Sequence, residues 1–247
     1  MVQKTPGYLS EVFCSIQGEA ALAGKPQLFL RFNYCGLKCA YCDTSAKIAP
    51  GKFVRIEKSP ACMDFRNVPN PITAQTLFMH VKKITGTFNS CHSISVTGGE
   101  PLMQALFLSE FLPMLRPLRL PVMLETNGIL HKKLAHIRKW IDIIAMDIKL
   151  PSALDDKNYW KEHAKFLRIA VEKDVFVKVI VNRKTADMEF KKAVEITGKT
   201  SAKIPFYIQP ATPMDIKTGR LLKLYMMAAK CLRNVYVMPQ MHAGKFY

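Results

Sequence analysis

The sequence predicts an α/β fold: an incomplete, open βα barrel with a mainly parallel sheet. Seven short apolar runs alternate with segments of helical periodicity, and this alternation is typical of βα units joined into a parallel sheet. Seven strands with helices between them suit an open barrel better than a small doubly wound sheet. Polar residues follow the runs at the same end, where parallel βα folds gather their ligands.

The predicted strands are short apolar runs rich in Val, Ile, Phe and Tyr, the residues that pack well in sheets. In chain order they are 27–34 (QLFLRFNY), 93–97 (SISVT), 121–126 (PVMLET), 142–148 (DIIAMDI), 175–182 (VFVKVIVN), 204–209 (IPFYIQ) and 234–238 (NVYVM). The predicted helices lie between them, at 73–85, 103–115, 131–140, 156–171, 185–196 and 215–231. The weakly patterned stretch 45–70, which contains Pro50, Gly51 and Pro60, is predicted to be an insertion within a single domain that spans 1–247.

Composition limits the possible functions. Hydrophobic residues make up 49% of the 247 residues, enough for a full core. No apolar run approaches the roughly 18 residues that a membrane span needs, and the start, MVQKTPGYLSEVF, lacks the apolar segment of a signal peptide. Seven cysteines, an odd number, argue against a disulfide framework. We therefore expect a cytoplasmic protein with no membrane segment.

The net charge is strongly positive, +17 from 36 Lys and Arg against 19 Asp and Glu. Such a balance suits a nucleic acid or an anionic small molecule as partner. The positive residues are dispersed, as in HKKLAHIRKW at 131–140 and KNYWKEHAKFLR at 157–168, where they fall on the wet faces of predicted helices. The sequence therefore favours a solvated basic surface over direct binding of nucleic acid.

Three cysteines lie close together just after the first predicted strand. Cys35, Cys39 and Cys42 form a C-x3-C-x2-C pattern. On a helix the first and last would lie ~10 Å apart at ~1.5 Å per residue, so a loop that curls at Gly36 is the better interpretation for one compact centre. Zinc sites and ordinary [4Fe–4S] clusters take four ligands. Three thiolates on a [4Fe–4S] cluster would leave one iron open for chemistry.

The other cysteines offer no obvious fourth ligand. They are scattered singly along the chain and are expected to be small buried hydrophobes: Cys14, Cys62, Cys91 and Cys231.

The cysteine spacing, with Tyr41 just before the last thiol, resembles the radical S-adenosylmethionine (SAM) superfamily. In that superfamily the open iron chelates the amino and carboxylate groups of SAM, and one electron from the cluster splits the sulfonium to give a 5′-deoxyadenosyl radical. Gly-Gly-Glu-Pro at 98–101 looks like the motif that binds the methionine amino group, because a glycine pair permits close approach and a carboxylate suits an ammonium. The resemblance implies a radical SAM type of βα barrel, with a [4Fe–4S] cluster and SAM as cofactors.

A narrower resemblance is to the 7-carboxy-7-deazaguanine synthase family of queuosine and deazapurine biosynthesis. The matching stretches run in order along the chain: SIQGEA (15–20), FLRF (29–32), CAYCDT (39–44), TGGEPL (97–102), LETNG (124–128), DIKLPS (147–152), YIQPAT (207–212) and PQMH (239–242). The family implies a lyase whose small pterin substrate, 6-carboxy-5,6,7,8-tetrahydropterin, loses hydrogen at C6, contracts its ring and releases ammonia. It also implies Mg²⁺, an electron donor such as flavodoxin, and a homodimer.

The resemblance also assigns roles by position, with no catalytic residue beyond the cluster and the SAM radical. Cys35, Cys39 and Cys42 would hold the cluster. Thr44 would hold the magnesium ion, since a hard cation takes oxygen ligands. The SAM contacts would be Tyr41, Cys42, Asp43, Gly99, Glu100, Asp147, Ile148, Lys149, Gln209, Pro210, Ala211 and Thr212. The substrate contacts would be Ile16, Gln17, Gly18, Arg31, Thr97 and Tyr247.

The chain departs from the family pattern in places, and other functions stay open. Ala20 stands where the family usually has glycine, Cys35-Gly36-Leu37 replaces the usual GCN element, and the tail GKFY at 244–247 is unfamiliar, which bears on Tyr247. One alternative is a glycyl-radical-activating enzyme, which shares the cysteine loop and a GGEP-like motif but acts on a protein. Another is a metal-stapled nucleic-acid-binding module without enzymatic activity, suggested by the net charge.

Overall fold

Ten strands form one mixed sheet in the computed structural model, which describes residues 5–42, 50–212 and 214–241. The strands are β1 (Leu9–Ile16), β2 (Pro26–Phe32), β3 (Phe53–Glu57), β4 (Phe65–Pro69), β5 (Ser93–Gly98), β6 (Val122–Thr126), β7 (Ile143–Asp147), β8 (Asp174–Val181), β9 (Phe206–Pro210) and β10 (Val235–Val237). Their order across the sheet is β10-β9-β8-β7-β6-β5-β2-β1-β3-β4. The sheet is therefore open, with β10 and β4 at its two edges.

The seven strands from β10 to β2 in this order are all parallel. They correspond one to one to the seven predicted strands, with ends that differ by only a few residues. The open, mainly parallel α/β fold predicted from the sequence is confirmed.

Six helices connect the strands and cover one face of the sheet: α1 (Ala74–Thr85), α2 (Ala105–Leu115), α3 (His131–Ile137), α4 (Trp160–Ala170), α5 (Asp187–Thr200) and α6 (Thr218–Ala229). In α1 the Thr73 side chain caps the first turn by accepting from the Thr76 backbone N–H at 3.1 Å, and the face carrying Leu77 and Val81 is buried. The other helices likewise bury their apolar sides against the strands in the main core. All six predicted helices are present.

Three strands were not predicted, and all lie beyond β2 in the sheet. β1 is antiparallel to β2, β3 is parallel to β1, and β4 is antiparallel to β3. β1 and β3 mix buried residues with polar or exposed ones, and β4 has no fully buried residue, so all three lack the continuous apolar runs that marked the parallel strands. The described part of the predicted 45–70 insertion thus contains a β3–β4 hairpin.

The opposite face of the sheet carries a smaller apolar cluster. Ala20, just after β1, packs there with Met123, Ile143, Ala145, Phe176 and Tyr207 from the four strands β6 to β9. In the part of the chain that the structure describes, no helix has the length and apolar character needed to cross a membrane.

A buried carboxylate fixes the β3–β4 hairpin to β1. Glu57 at the end of β3 is fully buried, and its two oxygens accept hydrogen bonds from the backbone N–H of Cys14 at 2.7 Å and of Met63 at 3.1 Å. One bond reaches β1 and the other reaches the turn that leads to β4. Glu57 therefore sets where the hairpin sits against the rest of the sheet.

We predict that Glu57→Gln lowers the free energy of unfolding by about 1–3 kcal/mol, because the amide keeps one acceptor oxygen and turns an N–H₂ group towards a buried N–H donor. Urea denaturation at neutral pH measures the change. Glu172→Gln is the matched control. Its carboxylate is 57% exposed and pairs with Arg138 at the surface, so its loss should cost less than about 1 kcal/mol. Equal effects of the two substitutions would contradict the role of Glu57.

Candidate active site

A cavity of about 520 Å³ lies at the carboxyl ends of the parallel strands. Its wall includes the residues where three successive strands end: Thr97 and Gly98 on β5, Thr126 on β6, and Asp147 on β7. Parallel strands bring these ends to one edge of the sheet, so residues far apart in sequence meet there. The polar ends of these three strands therefore lie together, whereas Gln209 and Pro210 at the end of β9 do not line the cavity.

The three cysteines of the C-x3-C-x2-C pattern all line this cavity. Their loop is held by a bond from Ala40 N–H to the Ala153 carbonyl at 3.0 Å and by one from Cys42 N–H to the Cys39 carbonyl at 3.2 Å. Burial raises the pKa of the Cys35 and Cys39 thiols, and each also lies close enough to feel the charge of Cys42. The loop therefore gathers three thiols on one wall.

This donor set suits a cluster better than a single ion. Among the described residues, no three Cys, His, Asp or Glu side chains are gathered closely enough to hold one metal ion. A cubane cluster binds each thiolate through a different iron, and soft thiolates are the ligands that iron–sulfur clusters prefer. The three thiols fit such a group.

A pair of glycines locks this loop to the end of β5. Gly98 has φ +115°, and a Cβ there would lie 2.3 Å from the Phe32 carbonyl oxygen. A Cβ on Gly99 would lie 2.0 Å from the Tyr34 carbonyl oxygen. The backbones are joined by bonds from Gly99 N–H to Phe32 at 2.9 Å and from Glu100 N–H to Tyr34 at 2.7 Å. Only glycine permits this approach.

The Glu100 side chain, in contrast, does not line the cavity. It is fully buried, and its carboxylate accepts from the backbone N–H of Asn127 at 2.8 Å and of Leu102 at 3.1 Å, and from the Thr126 hydroxyl at 3.0 Å. Burial raises the pKa of Glu100 to about 7, although these hydrogen bonds oppose the rise. Glu100 thus ties the end of β5 to the end of β6.

Two lysines and two carboxylates on the cavity wall form a chain of ion pairs, in the order Lys149, Asp147, Lys178 and Glu19. Asp147 pairs with Lys149 at 2.7 Å and with Lys178 at 3.4 Å, and Lys178 also pairs closely with Glu19. Burial alone would raise the pKa of Asp147, but the two lysines hold it below its ordinary value. Burial would lower the pKa of Lys178, yet Asp147 and Glu19 raise it. Gln240 donates to Glu19 at 2.7 Å and joins this network.

A further carboxylate on the wall is held by neutral donors. Glu125 on β6 accepts from the Gln17 amide at 2.8 Å, from the Ser95 hydroxyl at 3.2 Å and from the Thr97 hydroxyl at 3.0 Å. Gln17 and Thr97 are predicted substrate contacts, and both line the cavity with Gly18 and Arg31. The structure thus places Gln17 and Thr97 against Glu125, and Gly18 and Arg31 on the wall of the same cavity.

Comparison with known proteins decides the family. The Radical SAM superfamily matches residues 29–195. The 7-carboxy-7-deazaguanine synthase of Geobacter sulfurreducens is 39% identical over 246 residues, which cover 98% of each chain. The enzyme of the same name from Methanothermobacter thermautotrophicus is 31% identical over 94% of each chain. This chain belongs to the 7-carboxy-7-deazaguanine synthase family.

Solved structures agree on the fold. QueE from Escherichia coli superimposes with a TM-score of 0.58 at 18% identity, over 96% of this chain and 95% of that one. Streptococcus suis SuiB bound to S-adenosylmethionine gives 0.52 at 15% identity, over 85% of this chain and 48% of SuiB. These likenesses support the radical SAM type of βα fold.

The residues assigned from the family resemblance fall into three groups in the structure. On the cavity wall lie Gln17, Gly18, Arg31, Cys35, Cys39, Tyr41, Cys42, Thr97, Gly99, Asp147 and Lys149. Off the wall lie Ile16, Glu100, Ile148, Gln209, Pro210, Ala211 and Thr212. Asp43, Thr44 and Tyr247 lie outside the described residues.

Two of the residues off the wall differ in their side-chain contacts. Thr212 donates to Gln240 at 3.2 Å and so reaches the inner charge network indirectly. Gln209 is fully buried, and neither end of its amide bonds to any part of the chain that the structure describes. Its donor and acceptor are buried without a partner in the described residues, and the side chain does not reach the cavity wall.

Two expectations about the remaining cysteines are corrected. Cys14 and Cys91 are buried as expected, but Cys62 and Cys231 are exposed. Cys62 lies in the turn of the β3–β4 hairpin and Cys231 follows the end of α6, and such connections run over the surface.

Ala20 explains one departure from the synthase pattern. Its φ is +49°, the left-handed region that glycine enters freely and that costs alanine roughly 1 kcal/mol. The residue is only 2% exposed, because it packs in the smaller apolar cluster on the face of the sheet opposite the six helices. Burial of one methyl group is worth roughly as much as the strain, so the chain keeps the backbone conformation without the glycine.

Sequence reasoning assigned no role to Glu19, Lys178, Glu125 or Gln240. The signal for Lys178 was its charge inside the otherwise apolar strand 175–182, and Glu125 was noted only as a polar residue at a strand end. Their roles depend on partners far away in sequence, which a linear pattern does not reveal.

A buried histidine supports the end of β6 from behind. The His163 Nε2 lies 3.0 Å from the carbonyl oxygen of Asn127, a cavity residue, and is assigned as the donor. Burial lowers the pKa of His163 to about 4, because a charged imidazolium would be poorly solvated there. The folded state therefore holds the neutral ring.

We predict an acid-sensitive stability that depends on His163. Its contribution is fully present above pH ~6.5 and is lost as pH falls towards 4, by up to about 3 kcal/mol, because the unfolded chain binds the proton first. His163→Gln keeps an N–H for Asn127 and should flatten the dependence of the urea midpoint on pH between 6.5 and 4. His136→Gln, on an exposed histidine of α3, should leave it unchanged. An unaltered slope in His163→Gln would contradict this assignment.

Proposed function

We propose that the protein converts 6-carboxy-5,6,7,8-tetrahydropterin to 7-carboxy-7-deazaguanine, with ring contraction and loss of ammonia. The observation that carries the proposal is one cavity with two distinct walls in a chain of the synthase family. One wall has the three thiols and the glycine pair. The other has Arg31, and the Glu125 carboxylate with its donors Gln17 and Thr97.

On the first wall Cys35, Cys39 and Cys42 would hold the [4Fe–4S] cluster. When bound, the cluster would supply the electron that cleaves SAM, and the adenosyl radical from SAM would remove a hydrogen atom from the substrate. Gly99 offers backbone atoms where no side chain intrudes, and Lys149 offers an ammonium for a carboxylate. The further proposed SAM contacts are Tyr41, Cys42, Asp43, Glu100, Asp147, Ile148, Gln209, Pro210, Ala211 and Thr212.

The Glu100 carboxylate, backbone N–H and carbonyl are all bonded within the protein, so its proposed SAM contact rests on the family resemblance. Gln209 has an unbonded side-chain amide but lies off the cavity wall, so its proposed SAM contact rests on the family resemblance.

On the second wall each proposed substrate contact has a chemical complement. An Arg31 guanidinium forms a rigid fork that matches the substrate carboxylate. The Glu125 carboxylate keeps one acceptor position on the oxygen that Thr97 bonds, which suits one N–H group from the amino and amide edge of a pterin. Gln17 and Thr97 hold Glu125 in place at 2.8 and 3.0 Å. Ile16, Gly18 and Tyr247 complete the proposed substrate contacts.

Further parts of the proposal come from the family resemblance alone. They are a magnesium ion on Thr44, an electron donor such as flavodoxin, a homodimer and a cytoplasmic location. The alternative of a glycyl-radical-activating enzyme gains no support from the relatives, which carry the synthase name.

The decisive experiment is anaerobic incubation of reconstituted protein with SAM, dithionite and the pterin, followed by mass spectrometry of the products. We expect 7-carboxy-7-deazaguanine from the wild type and none from Cys35→Ala, Cys39→Ala or Cys42→Ala. Cys231→Ala is the matched control, because this exposed thiol lies outside the cavity wall. A cluster-loaded wild type that forms no deazapurine would falsify the proposal.

Thr44 tests the magnesium assignment separately. We expect Thr44→Ala to retain the cluster and still to cleave SAM slowly. It should lose most of the stimulation of product formation by magnesium, because a methyl group cannot coordinate a hard cation. Thr44→Ser should retain much of it. Product formation is titrated with Mg²⁺ at saturating SAM and pterin. A wild-type magnesium response in Thr44→Ala would remove this residue from the metal site.

A further inference from the structure

A row of three charged side chains crosses the sheet at one end of the cavity. Glu11 on β1 is directly opposite Arg31 on β2 and also directly opposite Arg55 on β3. Opposite residues on neighbouring strands present their side chains on one face. All three line the cavity, and their exposed fractions, 34% for Arg31 and 55% for Arg55, place Arg55 nearer the solvent.

The two arginines do not share Glu11 equally. Arg55 Nη1 lies 2.9 Å from one Glu11 oxygen, which is a good hydrogen-bonding distance. Arg31 Nε lies 3.7 Å from the other oxygen, which is too long for a hydrogen bond. That Nε is buried and meets no acceptor among residues 5–42, 50–212 and 214–241. Glu11 is therefore committed to Arg55, and Arg31 keeps an unused donor.

The aromatic neighbours of the two arginines do not block the hydrogen-bond donors of their guanidinium groups. Arg31 lies over the Phe13 ring at 5.2 Å and Arg55 over the Phe65 ring at 4.3 Å. Stacking occupies the face of a guanidinium, whereas its hydrogen-bond donors lie in its plane. Two guanidinium cations and one carboxylate leave one net positive charge, which suits an anionic group of a ligand.

We propose that Arg55 is a positioning residue: it holds Glu11, and so leaves Arg31 free to bind the carboxylate of the substrate. This rests on the proposed function, in which Arg31 binds that carboxylate. Without Arg55 the Glu11 carboxylate has Arg31 as its cation partner in the row, and the Arg31 fork is then neutralised from within the protein.

The test measures the dissociation constant of 6-carboxypterin, a fluorescent carboxylated analogue, for the reconstituted protein. Arg55→Gln should weaken binding about tenfold, which corresponds to ~1.4 kcal/mol. Adding Glu11→Gln to Arg55→Gln should restore the affinity to within about threefold of wild type, because Arg31 then has no internal partner. Arg55→Lys keeps a cation beside Glu11 and should bind almost as well as wild type. Pterin without the carboxyl group should bind all of these variants alike.

The controls separate this role from a structural one. Arg66→Gln removes the same charge from the same hairpin, but Arg66 lies opposite Ile56, a core residue, on the other face. It should change the affinity less than about twofold. A tenfold loss in Arg55→Gln that Glu11→Gln does not rescue would overturn the proposal, since a direct contact or a structural role predicts that outcome. An unchanged affinity in Arg55→Gln would also overturn it.

Failure of the proposed function gives a different result. If the row binds a carboxylate, Arg31→Lys should weaken 6-carboxypterin binding, whether or not the protein forms deazapurine. A wild type that shows the full pattern of binding but forms no deazapurine would contradict the proposed reaction and support the role of Arg55. If the wild type forms deazapurine normally but Glu11→Gln does not rescue the affinity of Arg55→Gln, the result would support the proposed reaction and contradict the role of Arg55.

Discussion

The close contact between the cysteine loop and the Gly98-Gly99 turn is the constraint on which the site depends. A side-chain carbon at Gly99 would stand 2.0 Å from the Tyr34 carbonyl oxygen, so any other residue would push the loop away from β5. Two backbone hydrogen bonds cross the same contact, from Gly99 to Phe32 and from Glu100 to Tyr34. The loop that carries the three thiols is therefore built directly onto the sheet.

This attachment also fixes the distance between the two walls of the cavity. Thr97, the last residue before the glycine pair, lines the cavity on the proposed substrate wall and bonds to Glu125 at 3.0 Å. Consecutive Cα atoms are ~3.8 Å apart, so one peptide unit of β5 joins the two walls. Radical chemistry of the proposed kind needs the reacting atoms held close together. Here the strand itself supplies that spacing, and Glu100 stiffens it by tying β5 to β6.

The parallel strands and the helices could be predicted because burial on both faces leaves a continuous apolar run, which is visible in sequence. β1, β3 and β4 could not, since their cavity-facing or solvent-facing positions carry Glu11, Arg55 and other polar residues that break the run. The three thiols could be predicted because all of them lie within one short loop. Lys178 was not, because its carboxylate partner Glu19 is 159 residues away and only the fold brings the two together.

The cavity wall carries two charge groups built on one pattern with the signs exchanged. In the first group a cation, Lys178, lies between the carboxylates Glu19 and Asp147, and Lys149 balances the group to zero. In the second group an anion, Glu11, lies between Arg31 and Arg55, and one positive charge remains. A ligand with one carboxylate is therefore attracted to the arginine group in particular. In the proposed reaction this polarity decides which way round the pterin enters, with its carboxylate towards Arg31 and its amino and amide edge towards Glu125.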